Sequence, residues 1–296
     1  MADTQSVLYA QAYAANIMQL AQQKYSKLLP ICYMKPNVKG KTFFQDQIGK
    51  WSMSTKGGRN VQTPNNDPNL ARRMGTMVDF QDNRMLDRGD ELRMLSDPRS
   101  AYTIAAASSL GRQIDTVIAN QLLATAKTGE TGSTSITLGT TSISAHVNPT
   151  TAGATGTPAT LTFARVRQAK RVLDLEDVEA DDRFFVITPQ GLDALMNTTQ
   201  ATSSDYMAVK SLVRGDIDTW MGFKWIMSNN LSSSGTITSC FAMQRYAIAL
   251  AMGSEPLVRT DERMDLSYSW QVYYELNIGA VRLEEARVVQ MDLTSE

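Results

Sequence analysis

Apolar side chains follow a helical period in one long segment of the chain. They stand at Ala107, Leu110, Ile114, Val117, Ile118 and Leu122, the spacing at which one face of a helix repeats. The pattern predicts a helix from Pro98 to Ala126, with Asp97 as its N-cap and Pro98 at its first position. Such a helix is roughly 40 Å long, which suits a spine laid along an extended molecule.

Three further segments have helical spacing. Ser6 to Leu29 is predicted to be an N-terminal helical arm that Pro30 ends. Leu161 to Leu175 and Gln190 to Met196 are predicted helices on either side of a short buried strand, Arg183 to Ile187. In the Leu161 helix the inward positions are Phe163, Val166, Ala169, Val172 and Leu173, and the outward positions are Arg165, Arg167, Lys170 and Arg171.

Strand-forming residues dominate the last part of the chain. The predicted strands are Gly222–Met227, Cys240–Met243, Tyr246–Leu250, Ser267–Leu276 and Ala280–Met291. A segment rich in Gly, Ser and Thr, from Thr128 to Pro158, follows the long helix and could form a short hairpin about Gly139. The second half is therefore predicted to be a mixed helix and sheet domain, and the fold class is α+β.

The segment from Val38 to Glu91 has the pattern of a long two-stranded projection. Its first limb is predicted over Lys41–Lys56 and its return limb over Met74–Asp90, where apolar and polar residues alternate. Gly57-Gly58 and the run from Pro64 to Pro68 supply turn residues between the limbs. The segment holds too few large apolar residues for a core, and a hairpin alone is marginal in water. We therefore expect neighbouring copies of the chain to complete it.

Charges are segregated along this projection. Only Asp46 and Asp67 oppose the first group of cations, which comprises Lys35, Lys39, Lys41, Lys50, Lys56, Arg59, Arg72 and Arg73, whereas acidic residues outnumber basic ones from Met74 to Arg99. Copies packed side by side could pair these surfaces. The alternative is a solvated linker of mixed charge. The strand-forming Phe43, Phe44, Ile48, Trp51, Val78 and Phe80 count against that alternative.

Net charge and cysteine usage narrow the class of function. A formal net charge of -1 over 296 residues is that of an ordinary globular chain, and it argues against tight, sequence-independent binding of nucleic acid. Cys32 and Cys240 form no paired motif, so we predict neither a disulfide framework nor a zinc site, and a reducing compartment fits. The sequence has no secretion-signal pattern and no apolar run long enough to span a bilayer, so we expect neither secretion nor a membrane span.

Residues able to do catalytic chemistry are scarce. The single histidine, His146, lies in a Ser- and Thr-rich stretch without a partner motif, and there is no phosphate-binding loop or dinucleotide fingerprint. An acidic run could bind a hard cation, but its spacing matches no calcium loop, so a solvated acidic loop is favoured. The run comprises Asp174, Glu176, Asp177, Glu179, Asp181 and Asp182. We predict no catalytic, cofactor-binding or metal site.

The order of these elements resembles that of the major capsid proteins of tailed bacteriophages, which have the Hong Kong 97-like fold. The segment Leu173–Met196, LDLEDVEADDRFFVITPQGLDALM, is similar to the helix, acidic turn, buried strand and short helix of that family, and GFKWIMSNNL, YAIALAM and NIGAVRLEEARVVQM resemble the strands that follow. The resemblance implies five parts. They are an N-terminal arm (1–36), an extended β-hairpin loop (37–92), a peripheral domain with a long spine helix (93–160), an axial domain (161–274) and a C-terminal strand that returns to the peripheral domain (275–296).

The resemblance also implies a function. The chain would be a structural protein, not an enzyme, that assembles into the icosahedral shell around the double-stranded DNA of a tailed phage. Its partners would be copies of itself in hexamers and pentamers, portal and scaffolding proteins, a cement protein and, non-specifically, the packaged DNA. It would assemble in the host cytoplasm and reside in the virion capsid, with no membrane contact. The inter-subunit contacts of the extended loop would come from Phe43, Phe44, Trp51, Arg59, Arg72, Arg73, Val78 and Phe80.

Three other functions are open at this point. An encapsulin-like compartment has the same fold but holds a cargo protein, so a co-purifying enzyme in place of DNA would indicate it. A soluble hydrolase would depend on His146 and would lose its activity in His146→Ala. A fibre or adhesin is the third alternative, and the long predicted helices disfavour it.

Overall fold

The computed structural model describes residues 21–63, 65–87, 99–138, 159–196 and 219–294. These residues form three helices, α1 (Arg99–Leu123), α2 (Phe163–Leu175) and α3 (Pro189–Met196). The strands are β1 (Tyr33–Lys35), β2 (Thr42–Ile48), β3 (Leu70–Thr76), β4 (Val78–Leu86), β5 (Ala126–Thr128), β6 (Thr134–Ile136), β7 (Arg183–Ile187), β8 (Thr219–Trp220), β9 (Phe223–Met227), β10 (Ser233–Ser234), β11 (Ile237–Gln244), β12 (Ile248–Met252), β13 (Leu257–Arg263), β14 (Ser269–Arg282) and β15 (Val288–Thr294). Four predictions fall outside the described residues: the first part of the arm, the Asp97 cap, the hairpin about Gly139 and the environment of His146.

The first sheet is organised around the long strand β14. Along one edge β14 pairs antiparallel with the whole of β4, from Trp270↔Leu86 to Ile278↔Val78. Along the other edge its first half pairs with β13 and its second half with β12, and β1 extends the sheet by parallel pairing with β12. The strand packs against α1, and Leu276 is fully buried. The sheet therefore provides a platform along the spine helix.

The second sheet has the order β10-β11-β7-β9-β8, with β15 paired to β11. All five residues of β7 are buried, which explains the apolar run of residues 184–187 that follows Arg183 in this central strand. Its Phe185 stacks on Trp225 with ring centroids 4.3 Å apart, and Phe163 of α2 contacts Trp220. Gly191 of α3 lies against Ile187. Both α2 and α3 thus cover one face of this sheet.

The third sheet contains the base of the projection and has the order β2-β3-β5-β6. β2 and β3 pair antiparallel from Thr42↔Thr76 to Ile48↔Leu70. β5 and β6 form a tight hairpin in which Gly129 and Gly132 adopt positive φ, a conformation that favours glycine. A hairpin here was not predicted, because its strands are only three residues long.

The spine helix α1 supplies one wall of the main core. Leu110, Ile114, Ile118 and Leu122 are buried at helical spacing and join a core that includes residues of both larger sheets. Ala107, predicted to face inward, is exposed, and Ala106 is buried in its place. The helix ends at Leu123, before the predicted Ala126, because Ala126 already pairs in β5. Within the described ranges, no helix has the length and apolarity needed to cross a bilayer.

Residues 22–32, called here the strap, cross α1 as an irregular segment with a 3-10 turn at Leu29–Ile31. The predicted helix to Leu29 is therefore wrong over residues 21–28. The physical reason is Asp115 of α1, whose buried carboxylate accepts hydrogen bonds from the main-chain N–H groups of Lys27 and Leu28 at 3.1 and 3.0 Å, so these groups do not serve a helix. Tyr25 and Ser26 run close over Gly111, where a β-carbon would lie 2.9 Å from the Ser26 nitrogen.

Two further predictions about strands were wrong. The return limb of the projection is β3, whereas Val78–Leu86 has the predicted alternation but pairs with β14. The segment resembling one terminal strand, Asn277–Met291, is two strands, because a 3-10 turn at Glu285–Arg287 separates β14 from β15. Strands β12 and β13 and the first part of β14 lie in the expected axial domain, residues 161–274. They pair with one another and with β4 in the first sheet, apart from the sheet that contains β7.

One outward prediction for α2 was wrong as well. Arg165 is buried, and its guanidinium donates to the carbonyl oxygens of Ala159 and Asp292 at 2.8 and 3.1 Å. Burial also lowers its pKa. The helical period predicts which face of α2 points inward. It does not show that the carbonyl oxygens of Ala159 and Asp292 accept hydrogen bonds from Arg165 and so allow this cation to be buried.

Candidate assembly interface

The projection consists of the antiparallel strands β2 and β3, called here the ladder, and a long exposed loop that joins them. Beyond the last ladder pair, the N–H group of Gly49 donates to the carbonyl oxygen of Asn69 at 2.7 Å. Residues 49–63 and 65–69 contain no strand, and every described residue from 48 to 71 is exposed except the half-buried Pro68. We call residues 48–71 the exposed loop. It has no core within the described chain, as the sequence predicted.

Large apolar side chains are concentrated in this exposed loop. Trp51 is 73% exposed and, with Met53 and Val61, lines an open hollow of about 680 Å³ formed entirely by loop residues. Ile48 and Leu70 are also exposed and face each other at the end of the ladder. Met53, Val61, Ile48 and Leu70 were not among the predicted contact residues. Their apolar character within a polar, turn-rich stretch was the sequence signal that could have identified them.

The base of the projection has a small core of its own. Phe43 is only 3% exposed and packs with Met77, Val281 and Leu283, among others. Its ring lies over Gly75 so closely that a β-carbon there would come within 2.3 Å of it. Phe43 was predicted as an inter-subunit contact, but it is enclosed within its own subunit because Gly75 leaves room for the ring.

Arg73 is likewise enclosed, and it belongs to a buried ion network at the base of the projection. Its Nη2 lies 2.6 Å from Oε2 of Glu285, and its Nε donates to the carbonyl oxygen of Leu283 at 2.8 Å. The second partner of Glu285 is Arg282, which has no exposed surface. We call Arg73, Arg282 and Glu285 the root cluster. Arg73, predicted as a surface contact, is therefore an internal anchor.

Arg282 connects the root cluster to the end of the spine helix. Its Nη1 donates to the carbonyl oxygens of Leu122 and Ala124 at 2.8 and 2.6 Å, and its Nη2 donates to that of Ile136 at 3.0 Å. A cation at a helix C-terminus is favourable because the last carbonyl groups there have no helical partner. Burial lowers the pKa of Arg282, and the nearby Glu285 carboxylate opposes that effect.

Arg72 lies on the opposite face of β3 and remains accessible. Its guanidinium donates to Asp46 with an Nε to Oδ1 distance of 2.6 Å and lies 5.5 Å from the centroid of the Phe44 ring. The hydrogen bond from Arg72 lowers the pKa of the Asp46 carboxyl. Arg59 is exposed in the loop. Phe44, Trp51, Arg59 and Arg72 are thus positioned where a neighbouring molecule can reach them.

The remaining predicted contact residues belong to β4. Val78 is exposed, while Phe80 is half-buried against the main core. Phe80 lines a groove of about 240 Å³ between β4 and α1, together with Asp82, Leu110, Gln113 and Tyr274, among others. The Tyr274 hydroxyl donates to Oδ2 of Asp82 at 2.7 Å, and this hydrogen bond lowers the pKa of Asp82. The groove is half apolar and carries negative charge at its rim.

The acidic run after α2 is a salt-bridged turn. Arg183, the first residue of β7, pairs with Asp174 at 2.5 Å and donates to the carbonyl oxygens of Val178 and Glu179. Arg287 pairs with Glu179. The Arg287 hydrogen bond lowers the pKa of that carboxyl. Basic neighbours thus occupy several acids of this run, and the described ranges contain no group of His, Cys, Asp or Glu arranged to hold a metal ion.

Both cysteines are buried and chemically quiet. Burial raises the pKa of Cys32 and raises that of Cys240 to about 11. A thiol with such a pKa is almost entirely protonated near neutral pH, and the reactive form of cysteine is the thiolate. Neither side chain is suited to act as a nucleophile.

Solved structures share this architecture over nearly the whole chain. The structure from Mycobacterium phage Che8 is 15% identical and aligns over 96% of this chain and 97% of that chain with a TM-score of 0.72. The capsid of Cyanophage P-SCSP1u is 14% identical over 98% and 94%, with a TM-score of 0.74. The capsid of Ralstonia phage GP4 is 12% identical over 100% and 98%, with a TM-score of 0.71. The fold is therefore that of the Hong Kong 97-like capsid subunits.

A family model described as phage capsid protein matches residues 6–295. The chain belongs to the phage capsid protein family, and its role is structural, as a shell-forming subunit of the capsid. A search among curated proteins gave no match. The fold and the family predicted from the order of elements are both confirmed.

Proposed function

We propose that the chain assembles with copies of itself into the closed icosahedral shell, built of hexamers and pentamers, that encloses the double-stranded DNA of a tailed phage. The observation that carries this proposal is the exposed loop, which presents five large apolar side chains on a ladder fixed to the subunit. Three of these side chains, Trp51, Met53 and Val61, line one hollow, and grouped exposed apolar side chains of this kind mark sites that a partner covers. A closed shell requires repeated contacts of this head-to-tail kind.

The exposed loop is proposed to lie across the adjacent subunit. Its apolar anchor would be Trp51, with Phe44, Arg59, Arg72 and Val78 around it, whereas Phe43 and Arg73 hold the base of the loop. The groove between β4 and α1 of the neighbour has matching chemistry, because the half-buried Phe80 offers apolar surface and Asp82 offers negative charge to the basic loop.

Strand pairing supports a division of each subunit into two units. We propose that α1 and the first sheet form the peripheral unit and that the second sheet with α2 and α3 forms the axial unit around capsomer centres. Portal and scaffolding proteins, a cement protein and packaged DNA are proposed as further partners. Assembly would take place in the host cytoplasm, and the subunit would catalyse no reaction.

The test removes the exposed loop and keeps its base. Residues 49–69 are deleted, and Ile48 is joined to Leu70 through a short Gly-rich turn, so that Phe43, Arg73 and the whole of β4 remain. We expect a folded, soluble subunit by circular dichroism that forms no closed shells in negative-stain electron microscopy. Shells formed by the deletion variant would refute the proposed role of the loop. Shells of the intact chain that contain a cargo protein and no DNA would refute the genome-container function.

A further inference from the structure

The root cluster joins the projection to three other parts of the subunit. Arg73 stands on β3, Arg282 ends β14, and Glu285 lies in the turn that follows. Through Arg282 the cluster also contacts the last turn of α1 and the strand β6. Within the described residues, Arg73 is the member of the root cluster that belongs to the strand pair β2-β3. The cluster therefore lies where the projection joins the spine helix.

The charges of the root cluster do not balance, so the cluster is a poor source of stability. It buries two guanidinium groups against one carboxylate, and Nη1 of Arg73 is buried without a hydrogen-bond partner among the described residues. Buried ion pairs often contribute no more stability than apolar residues of the same size, and an unpaired buried donor is unfavourable. Stability alone therefore does not account for an arginine at this position.

Geometry gives a better account of Arg73. A guanidinium with two directed hydrogen bonds, here to Leu283 and Glu285, fixes orientation far more narrowly than apolar packing does. The partner of Arg73 in the ladder is Gln45, and Trp51 lies six residues farther along the chain, roughly 20 Å away if the chain is extended. A rotation of the ladder by about 10° at Arg73 would move Trp51 by roughly 3 Å, about the width of a side-chain contact.

We infer that Arg73 is a positioning residue for assembly, because the root cluster fixes the direction of the exposed loop relative to α1 and thereby the curvature of the shell. This inference rests on the proposed function, since it takes the exposed loop to contact the adjacent subunit. Closed shells of one size require the same limited set of angles between neighbours in every particle. A subunit whose loop direction varies would give shells of several sizes.

The test compares two adjacent arginines on opposite faces of β3. Arg73→Met removes the anchor but leaves Arg282 and Glu285 as a balanced pair, so the subunit should fold. Arg72→Met is the matched control for exchange in the isolated subunit, because it removes an equal charge from the same strand but loses only the exposed contacts with Asp46 and Phe44. Hydrogen exchange of β2 and β3 is measured on the isolated full-length subunit, and particle diameters are measured after assembly.

We expect Arg73→Met to raise the exchange rates of β2 and β3 at least tenfold and to broaden the distribution of particle diameters. Arg72→Met should change the exchange rates less than twofold. The particle diameters of Arg73→Met are compared with those of the wild-type chain, because Arg72 is itself a proposed inter-subunit contact. If Arg73→Met does not fold, Arg73→Lys replaces it, because lysine keeps the charge but lacks the planar guanidinium that makes two directed hydrogen bonds. Faster exchange and a broader distribution of diameters should then appear in weaker form.

The outcomes separate this inference from the proposed function. Unchanged exchange in the Arg73 variant, equal exchange in the Arg72 and Arg73 variants, or shells of one normal diameter from the Arg73 variant would overturn the positioning role. Exchange in the isolated subunit does not depend on any contact between subunits. Failure of the proposed function would instead appear as normal shells from the variant that lacks residues 49–69.

Discussion

Replacing Trp51 should weaken assembly without weakening the subunit. Its indole is 73% exposed, and the hollow that it lines is formed only by the exposed loop. If docking covers about 150 Å² of the indole, burial at ~25 cal/mol per Å² contributes about 4 kcal/mol. Ordering the side chain costs about 1 kcal/mol. Each contact should therefore lose roughly 3 kcal/mol in Trp51→Ala.

This loss has a direct consequence for the concentration at which shells form. If each subunit contributes one such contact, about 3 kcal/mol raises the critical concentration for assembly roughly 100-fold. Sedimentation velocity over a concentration series measures that threshold, and thermal unfolding of dissociated subunits measures stability on the same samples. We expect the melting temperature of Trp51→Ala to stay within about 1 °C of the wild-type value, because exposed substitutions usually change stability little.

Trp220→Ala is the opposing control. Trp220 is buried and contacts the rings of Phe163 and Trp225 in the core of the second sheet. Its truncation should cost about 3–5 kcal/mol of subunit stability and lower the melting temperature clearly. The reasoning is refuted if Trp51→Ala assembles at the wild-type concentration, or if it lowers the melting temperature as far as Trp220→Ala does.

Two further predictions concern stability. Asp115→Ala leaves the strap without its acceptor and two main-chain N–H groups unpaired, so denaturant unfolding should show a loss of about 3–5 kcal/mol; a loss below about 0.5 kcal/mol would contradict the role of this carboxylate. The pKa of Glu179 is lowered by the hydrogen bond from Arg287, so this pair stabilises the subunit above the unfolded pKa and the contribution is lost as the pH falls through the folded value. Glu179→Gln should therefore flatten the acid side of a plot of melting temperature against pH, and an unchanged acid slope would count against the pairing.

Local periodicity determined the helices and the buried central strand. The segment from Pro98 was predicted as a long helix and is α1 over Arg99–Leu123, and Arg183–Ile187 is β7 with all its residues buried. These predictions succeeded because a helix face repeats within a few residues, and a strand buried on both faces is largely apolar, as residues 184–187 are. The segment from Val38 to Glu91 has too few large apolar residues for a core, and this correctly predicted that its loop has no core within the described chain.

Contacts distant in sequence decided the rest. The strand Val78–Leu86 has the right alternation for a hairpin limb, yet it pairs with β14, because alternation fixes the faces of a strand but not its partner. The strap is irregular where a helix was predicted because Asp115, far along the chain, accepts hydrogen bonds from its N–H groups. Such pairings depend on the assembled tertiary structure, and no local pattern contains them.

The adjacent arginines of β3 show the same division most simply. The sequence by itself identified Arg72 and Arg73 only as adjacent cations just before the predicted return limb at Met74. The structure extends the strand back to Leu70, so that alternation places them on opposite faces. Only the tertiary structure decided that Arg73 faces Glu285 in the interior while Arg72 faces solvent and Asp46. The physical reason is that burial depends on what covers a face, and here the covering residues, 282–285, follow these arginines by about 210 positions.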